Sequence, residues 1–484
     1  MSKIALISFT DPRKTALSYE RENTIKFKHN SLKNELVNYG FDVLDINEKL
    51  LNYFDDDIFG IFSKDLALKA GTLIVENDVC CIILGLWHWT ESNLVTTMLR
   101  ITKDIPIMLY CDGDPAWAGP TCISSVGASL WETTLVNKKP NHYRLIGNAE
   151  ILKKWINSMI TVHKMKRYSI VIFGAPYTLG MEHLMDDIPF LKKFVEDIIM
   201  LDQYLIIKKA QEILNGEPQK ISEFVNYLSN KSKIKFDNNM LTKTNFEKQV
   251  ALYIATKEIL RDMKNVAIIS LKCQPELSEI FGVTGCLIPA FLNSTCEGDL
   301  KGTISSMILQ FLSNLPALFG DIKYISDDYI FIANCGASSI FYAKLRSVLE
   351  ENLDSITIEA QCQGAGGGAV KYRTPPTDLT ALRLTRINNN YFAQYFNTKS
   401  IQFNEEMENK LKWGRMWPHT AIINPLNNSN MFINLIGANH LSLVPGNFSI
   451  EIKYVFNELG INSVCFNSKN EVDSFCKYIG YNLN

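Results

Sequence analysis

Apolar and polar positions along the chain change rhythm in three stretches. In the first, short apolar runs alternate with longer polar, periodic segments: KIALISF, a periodic stretch from about Lys14 to Tyr39, NYGFDVLDI, CCIILG, a helix-like stretch near Ser92–Lys103, then IPIMLYCDGD. That is a βαβ rhythm, and it predicts a parallel sheet with helices on both faces. A helix-like stretch, Ala149–Lys166, precedes a new apolar run, YSIVIFG, where the first domain boundary is placed. A second α/β block follows. Its helix-like segments lie near Asp187–Asn215 and Phe246–Met263, and its strand-like runs include NVAIISLK and TGCLIPAFLN. From about Pro316 the runs YIFIANC, ITIEAQCQ, LTALRLTRI and MFINLIGA follow with little helix between them, which favours antiparallel β structure. The expectation is an α/β chain of three domains: residues 1–166, residues 167–315 and a mostly β C-terminal domain, 316–484.

Composition narrows the function classes. At 484 residues the chain exceeds what one hydrophobic core usually holds. Lys+Arg total 49 and Asp+Glu total 51, a net charge of −2, so no basic footprint for nucleic acid or an anionic membrane is present. A neutral, polar small molecule suits that balance. No apolar run approaches the roughly 18 residues of a membrane span, and MSKIALISF lacks the features of a signal peptide. The 11 cysteines are scattered with no Cys-x-x-Cys pair, and they read as reduced core residues of a cytoplasmic protein.

Three segments hold candidate chemistry. NSTCEGDLKG places Glu297 and Asp299 in a loop after an apolar run, where either could bind a ligand or cap the helix that follows. In LFGDIKYI, Asp321 is flanked by apolar residues, and a carboxylate there must be exposed, paired or metal-bound, or else cap a turn. In NLIGANHLSLVPGN, His440 closes an apolar strand-like segment, as a ligand or as a satisfied core histidine. Two carboxylates and an imidazole would suit Mn²⁺, Mg²⁺ or Co²⁺ rather than a structural zinc. No local spacing joins the three. The glycine run QGAGGG (363–368) lacks the phosphate-loop pattern and reads as a turn or a close backbone approach. The aromatics of LWHWTES, beside Glu91, follow a strand and are candidates for lining a pocket.

Taken together these segments resemble the L-fucose isomerase family. GANHLSLVPGNFSIEIKYVFNELGINSVCFN is similar to that family's C-terminal motif, and TCEGDLKGTISSMILQFLSNLPALFGDIKYI to its central motif. Glu297 and Asp321 stand 24 residues apart, the separation of that family's metal-binding pair. YIFIANCGASSI matches the strand and small-residue turn that follow, and weaker likeness extends to DPR and LWHWTES.

The resemblance implies two Rossmann-like α/β domains and a mostly β C-terminal domain, with a divalent metal, usually Mn²⁺, on Glu297, Asp321 and His440. It implies substrate contacts at Asn439 and Trp417, and pocket residues Trp87 and Arg13 lent by a neighbouring subunit of a homo-oligomer, a hexamer. Gln363 replaces a family tyrosine, and Lys272 and Gln274 lie where the family carries glutamines, so the sugar is left open. The implied reaction is aldose–ketose isomerisation of a monosaccharide through a cis-enediol, which needs a base, an acid and a Lewis acid. Glu297 and Asp321 would carry the protons. The alternatives are a sugar-binding or regulatory protein of the same fold without turnover, and a metal-dependent hydrolase. Lys371, Arg373 and Arg415 read either as surface charges or as partners of an anionic substrate group.

Overall fold

The computed structural model describes residues 2–13, 18–53, 58–133, 142–176, 180–334, 338–361, 366–402 and 417–481, with 407 and 409. It falls into two compact units, Met1–Lys164 with Ile450–Gly460, and Met165–Ser449 with Ile461–Asn484.

The first unit is built on a parallel sheet. Its strands are β1 (Lys3–Ser8), β2 (Asp42–Asp45), β3 (Cys81–Gly85), β4 (Ile107–Cys111) and β5 (His142–Ile146), in the order β2-β1-β3-β4-β5. The central strands are continuous apolar runs because both faces are covered. Alternate residues feed separate cores: Ala5, Ile82, Leu84 and Leu109 on one face, Ile4, Leu6, Ile83 and Met108 on the other. The helix Ser449–Leu459 belongs largely to this unit. The Ser158 hydroxyl donates to the Glu451 carbonyl at 3.1 Å, and Tyr454 meets Tyr143 edge-on.

The second unit holds a parallel sheet of β6 (Ser169–Phe173), β7 (Ile198–Leu201), β9 (Val266–Leu271) and β10 (Ser294–Cys296), ordered β10-β9-β6-β7. A small sheet joins β8 (Lys233–Ile234), β13 (Thr357–Ala360) and β14 (Gly368–Lys371). The remaining strands are β11 (Leu318–Ile325), β12 (Tyr329–Asn334), β15 (Asp378–Ile387), β16 (Asn390–Ile401), β17 (Trp417–Ile423), β18 (His440–Pro445) and β19 (Asn462–Cys465). They run β15-β18-β11-β12-β17-β16-β19, and the pairing of β15 with β16 closes an antiparallel ring with β19 alongside, parallel to β16. The fold is therefore mixed α/β with parallel sheets and a mostly β C-terminal sheet, as expected.

The helix Leu300–Ser313 packs against β9, β10, β15 and β18, and every residue from Leu300 to Leu309 is buried. Its small polar residues are matched across that packing: Ser306 hydrogen-bonds Ser442 at 2.9 Å, and Ser305 accepts from the Leu384 amide at 2.8 Å.

Three segments differ from expectation. The stretch near Asp187–Asn215 is not one helix but a short helix Ile188–Leu191, strand β7 and a helix Gln203–Gly216. Asp202 ends the strand by capping that helix through the Tyr204 amide. The run TGCLIPAFLN forms a helical turn, Leu287–Phe291, and β10 takes the strand position instead. MFINLIGA is helical over Ser429–Leu435, started by the Asn428 side chain accepting from the Met431 amide. Short apolar runs do not separate strand from buried helix, and at Asp202 and Asn428 a capping side chain starts the helix. Among the described residues no helix is long and apolar enough to cross a membrane.

Candidate metal centre

Because MFINLIGA is helical, His440 opens β18 rather than closing a strand before it. In the antiparallel pairing of β11 with β18, His440 lies directly opposite Asp321. Glu297 arrives from the parallel sheet, one residue past β10, with its amide donating to the Leu271 carbonyl at 2.8 Å. Glu297 and Gly298 both have φ of +65°. A left-handed conformation is costly for a non-glycine residue, of order 1–3 kcal/mol, and persists where the surroundings enforce it. Gly298 is enforced sterically, since a Cβ there would lie 2.6 Å from the Ala175 carbonyl oxygen.

The three side chains converge. His440 Nε2 is 3.1 Å from Glu297 Oε2 and 3.4 Å from Asp321 Oδ1, and one atom of each residue lies within 4.8 Å of the others. Metal–ligand bonds of about 2.0–2.4 Å allow one ion to reach ligand atoms up to roughly twice that distance apart. The residues therefore fit a single cation with two hard carboxylates and one imidazole. His440 is buried while Glu297 and Asp321 are part-exposed, so the arrangement is open on the carboxylate side.

The surroundings fix the imidazole. Asp299 is the N-cap of the helix Leu300–Ser313; its Oδ1 accepts from the Gly302 amide at 2.8 Å. Its Oδ2 accepts from His440 Nδ1–H at 2.8 Å and pairs with Arg383. A carboxylate can only accept, so Nδ1 carries a proton toward Asp299 and Nε2 faces Glu297 and Asp321. Burial would raise the Asp299 carboxyl, but Arg383 and His440 outweigh it and hold it well below the usual carboxylate range. Burial would lower His440, but Asp299, Asp321 and Glu297 hold the metal-free imidazole well above its ordinary value. The pocket demands positive charge. Glu297, Asp299, Asp321 and Asp186 bring four negative charges, while Arg383 and Lys301 bring two positive ones. A divalent ion beside a neutral His440 would balance them.

The other expected site residues have varied surroundings. Asn439 adjoins the centre: its Nδ2 donates to Asp321 Oδ1 at 2.9 Å and lies 3.1 Å from His440 Nε2, while its Oδ1 is 3.0 Å from His183 Nε2. Lys272 follows β9, next to the Leu271 carbonyl that anchors Glu297, and its Nζ pairs with Glu276 at 2.6 Å. Trp87 lies in the first unit's core, 2% exposed, with its indole N–H donated to Ser8 Oγ at 2.9 Å, so as placed it offers a ligand no surface. Arg13 is exposed and paired with Asp11 at 2.6 Å. Trp417 opens β17, but its side chain lies outside the described residues, as do Gln363 and Arg415. The described end of the glycine run is a close backbone approach: a Cβ on Gly367 (φ +107°) would come within 2.3 Å of the buried Gln249 amide.

Sequence reasoning missed Arg383, Lys301, Asp186 and His183, and read Asp299 only as a ligand or cap. Lys301 and Asp186 form a buried ion pair, and Lys301 Nζ also donates to the His183 carbonyl at 2.6 Å. The available signal was a charge inside an apolar run: Arg383 in LTALRLTRI is fully buried.

Residues 332–466 match the family model described as L-fucose isomerase, C-terminal domain. That range runs from within β12 to just past β19 and contains His440, whereas Glu297 and Asp321 precede it. No curated protein matches the chain. The C-terminal part of the chain is thus similar to an L-fucose isomerase C-terminal domain, a match that supports the L-fucose isomerase family and spans less than half of the chain.

Proposed function

We propose that this protein is a metal-dependent aldose–ketose isomerase acting on a monosaccharide, with the ion held by Glu297, Asp321 and His440. The observation that carries the reading is the convergence of these three side chains from β11, β18 and the loop after β10, in a chain whose C-terminal domain is of the L-fucose isomerase type. Mn²⁺ is the proposed ion, with Co²⁺ or Mg²⁺ as substitutes. When bound, it would supply Lewis-acid stabilisation of charge developing on the sugar's O1 and O2.

The protein's own groups supply the rest. Glu297 and Asp321 lie on separate elements with part-exposed carboxylates. One takes the C2 proton of an aldose and the other moves a hydroxyl proton, so that a cis-enediol forms and is reprotonated at C1. His440 is held with Nδ1–H committed to Asp299, so it serves as a ligand through Nε2 and takes no part in moving the sugar's protons. Asn439 orients Asp321 through its amide Nδ2. We also propose a homo-oligomer, a hexamer, with the first unit of one chain contributing Arg13 to another's site, and a cytoplasmic location.

The test is a panel of neutral and anionic aldoses incubated with chelator-stripped protein, with and without Mn²⁺, and product identified by NMR. Ketose formed from at least one aldose only when Mn²⁺ is present supports the reading. A protein that binds sugars but converts none, with Mn²⁺ bound, is a binding protein of the same fold.

A further inference from the structure

Arg383 puts a full charge in the middle of a buried strand. It sits in β15 with no exposed surface, and among the described residues Asp299 is its ion-pair partner. Its Nε and second terminal nitrogen meet no protein acceptor there. A buried guanidinium is costly to desolvate, and an apolar residue of similar size would often serve the sheet as well or better. Something other than strand stability therefore accounts for it. A Cβ on Gly302 would lie 2.4 Å from the Phe319 ring and 2.9 Å from both Arg383 and Asp299 Oδ2, so the smallest residue sits where the pair meets that ring. On the far side of Asp299, the same Oδ2 receives His440 Nδ1–H, and the His440 ring packs 4.7 Å from Phe319.

We infer that Arg383 is a positioning residue for the metal centre: it locks Asp299 in place as the acceptor that orients His440, leaving Nε2 aimed between Glu297 and Asp321. The inference rests on the metal-centre reading above and deepens it. Arg383 touches neither the proposed ion nor substrate; it acts through Asp299 alone. Groups that orient a ligating histidine typically change metal affinity 10–100-fold when removed.

The experiment is Mn²⁺ titration calorimetry on chelator-stripped protein, paired with thermal unfolding, for wild type, Arg383→Lys, Arg383→Met, Asp299→Asn and the double variant Asp299→Asn/Arg383→Met. Arg383→Met is expected to bind Mn²⁺ about 10–100-fold more weakly, and Arg383→Lys to recover part of that loss. In the Asp299→Asn background, Arg383→Met should weaken binding no further, because its route to the histidine is already cut. The double variant should also unfold at a higher temperature than Asp299→Asn, which leaves a buried cation unpaired. If Arg383→Met fails to fold, Arg383→Lys decides: Mn²⁺ affinity below wild type supports the inference and wild-type affinity overturns it. Wild-type affinity in a folded Arg383→Met, or losses that simply multiply in the double variant, would overturn the inference. Absence of Mn²⁺ binding by wild type would overturn the metal reading itself, and this inference with it.

Discussion

At the scale of single residues, the centre is organised around what His440 can do with each of its two nitrogens. Nδ1 is committed to Asp299, and Nε2 faces two further carboxylates. In the metal-free protein those acids hold the imidazole charged above its ordinary range. A cation entering the site must displace that proton, so binding and deprotonation are coupled. Mn²⁺ affinity is therefore expected to rise with pH, by up to about tenfold per unit while His440 is still charged. Calorimetry in buffers of different ionisation enthalpy checks this: the apparent binding enthalpy should vary with the buffer, and a buffer-independent enthalpy would mean that no proton is released. The residue types at the site were legible in the sequence, but their meeting was not. Asp321 and His440 are 119 positions apart and touch because β11 and β18 pair antiparallel with these two residues opposite. No local periodicity encodes such a pairing, and only the resemblance joined them in advance.

At the scale of elements, Glu297 depends on the turn between β10 and the helix Leu300–Ser313. Gly298→Ala should strain that turn twice, through its φ of +65° and through a Cβ 2.6 Å from a backbone oxygen. A loss of about 1–3 kcal/mol is expected, with Mn²⁺ affinity falling as Glu297 is displaced; unfolding and metal titration together measure it. Unchanged stability would show that the turn has another accessible form. The βαβ rhythm of the first unit was readable because both faces of its sheet are covered and its helices are long enough to show their period. TGCLIPAFLN and MFINLIGA were misread for the converse reason. Each is too short for periodicity to speak, and what decides the second is a single capping side chain, Asn428. The buried Arg383 was visible as a charge in an apolar strand, yet its purpose is set by Asp299, which reaches it from another element.

At the scale of the whole molecule, buried charge also sets how stability depends on pH. In the first unit, Asp45 is buried and held at about 2: burial raises it, but His29 and Lys33 pull it lower. A carboxylate depressed from 3.8 contributes stability that is present above that value and lost as pH falls through about 2. Asp45→Asn should remove about 2 kcal/mol at most at neutral pH, and its unfolding free energy should depend less on pH in the acid range than the wild type's. Assembly is tested by light scattering coupled to size exclusion: a closed oligomer of six chains is expected, and a fully active monomer would remove any need for a neighbour's Arg13. The most direct test of the central claim is turnover against Mn²⁺ concentration for wild type, Glu297→Gln, Asp321→Asn and His440→Ala, using whichever aldose the panel identifies. Wild type should be inactive when stripped and active with Mn²⁺. His440→Ala should regain part of its activity at high Mn²⁺, because only a ligand is missing. Glu297→Gln and Asp321→Asn should stay inactive at every concentration, because metal cannot replace a proton carrier. Near-wild-type turnover in either carboxamide variant at saturating Mn²⁺ would contradict the account and assign the proton transfer to another residue.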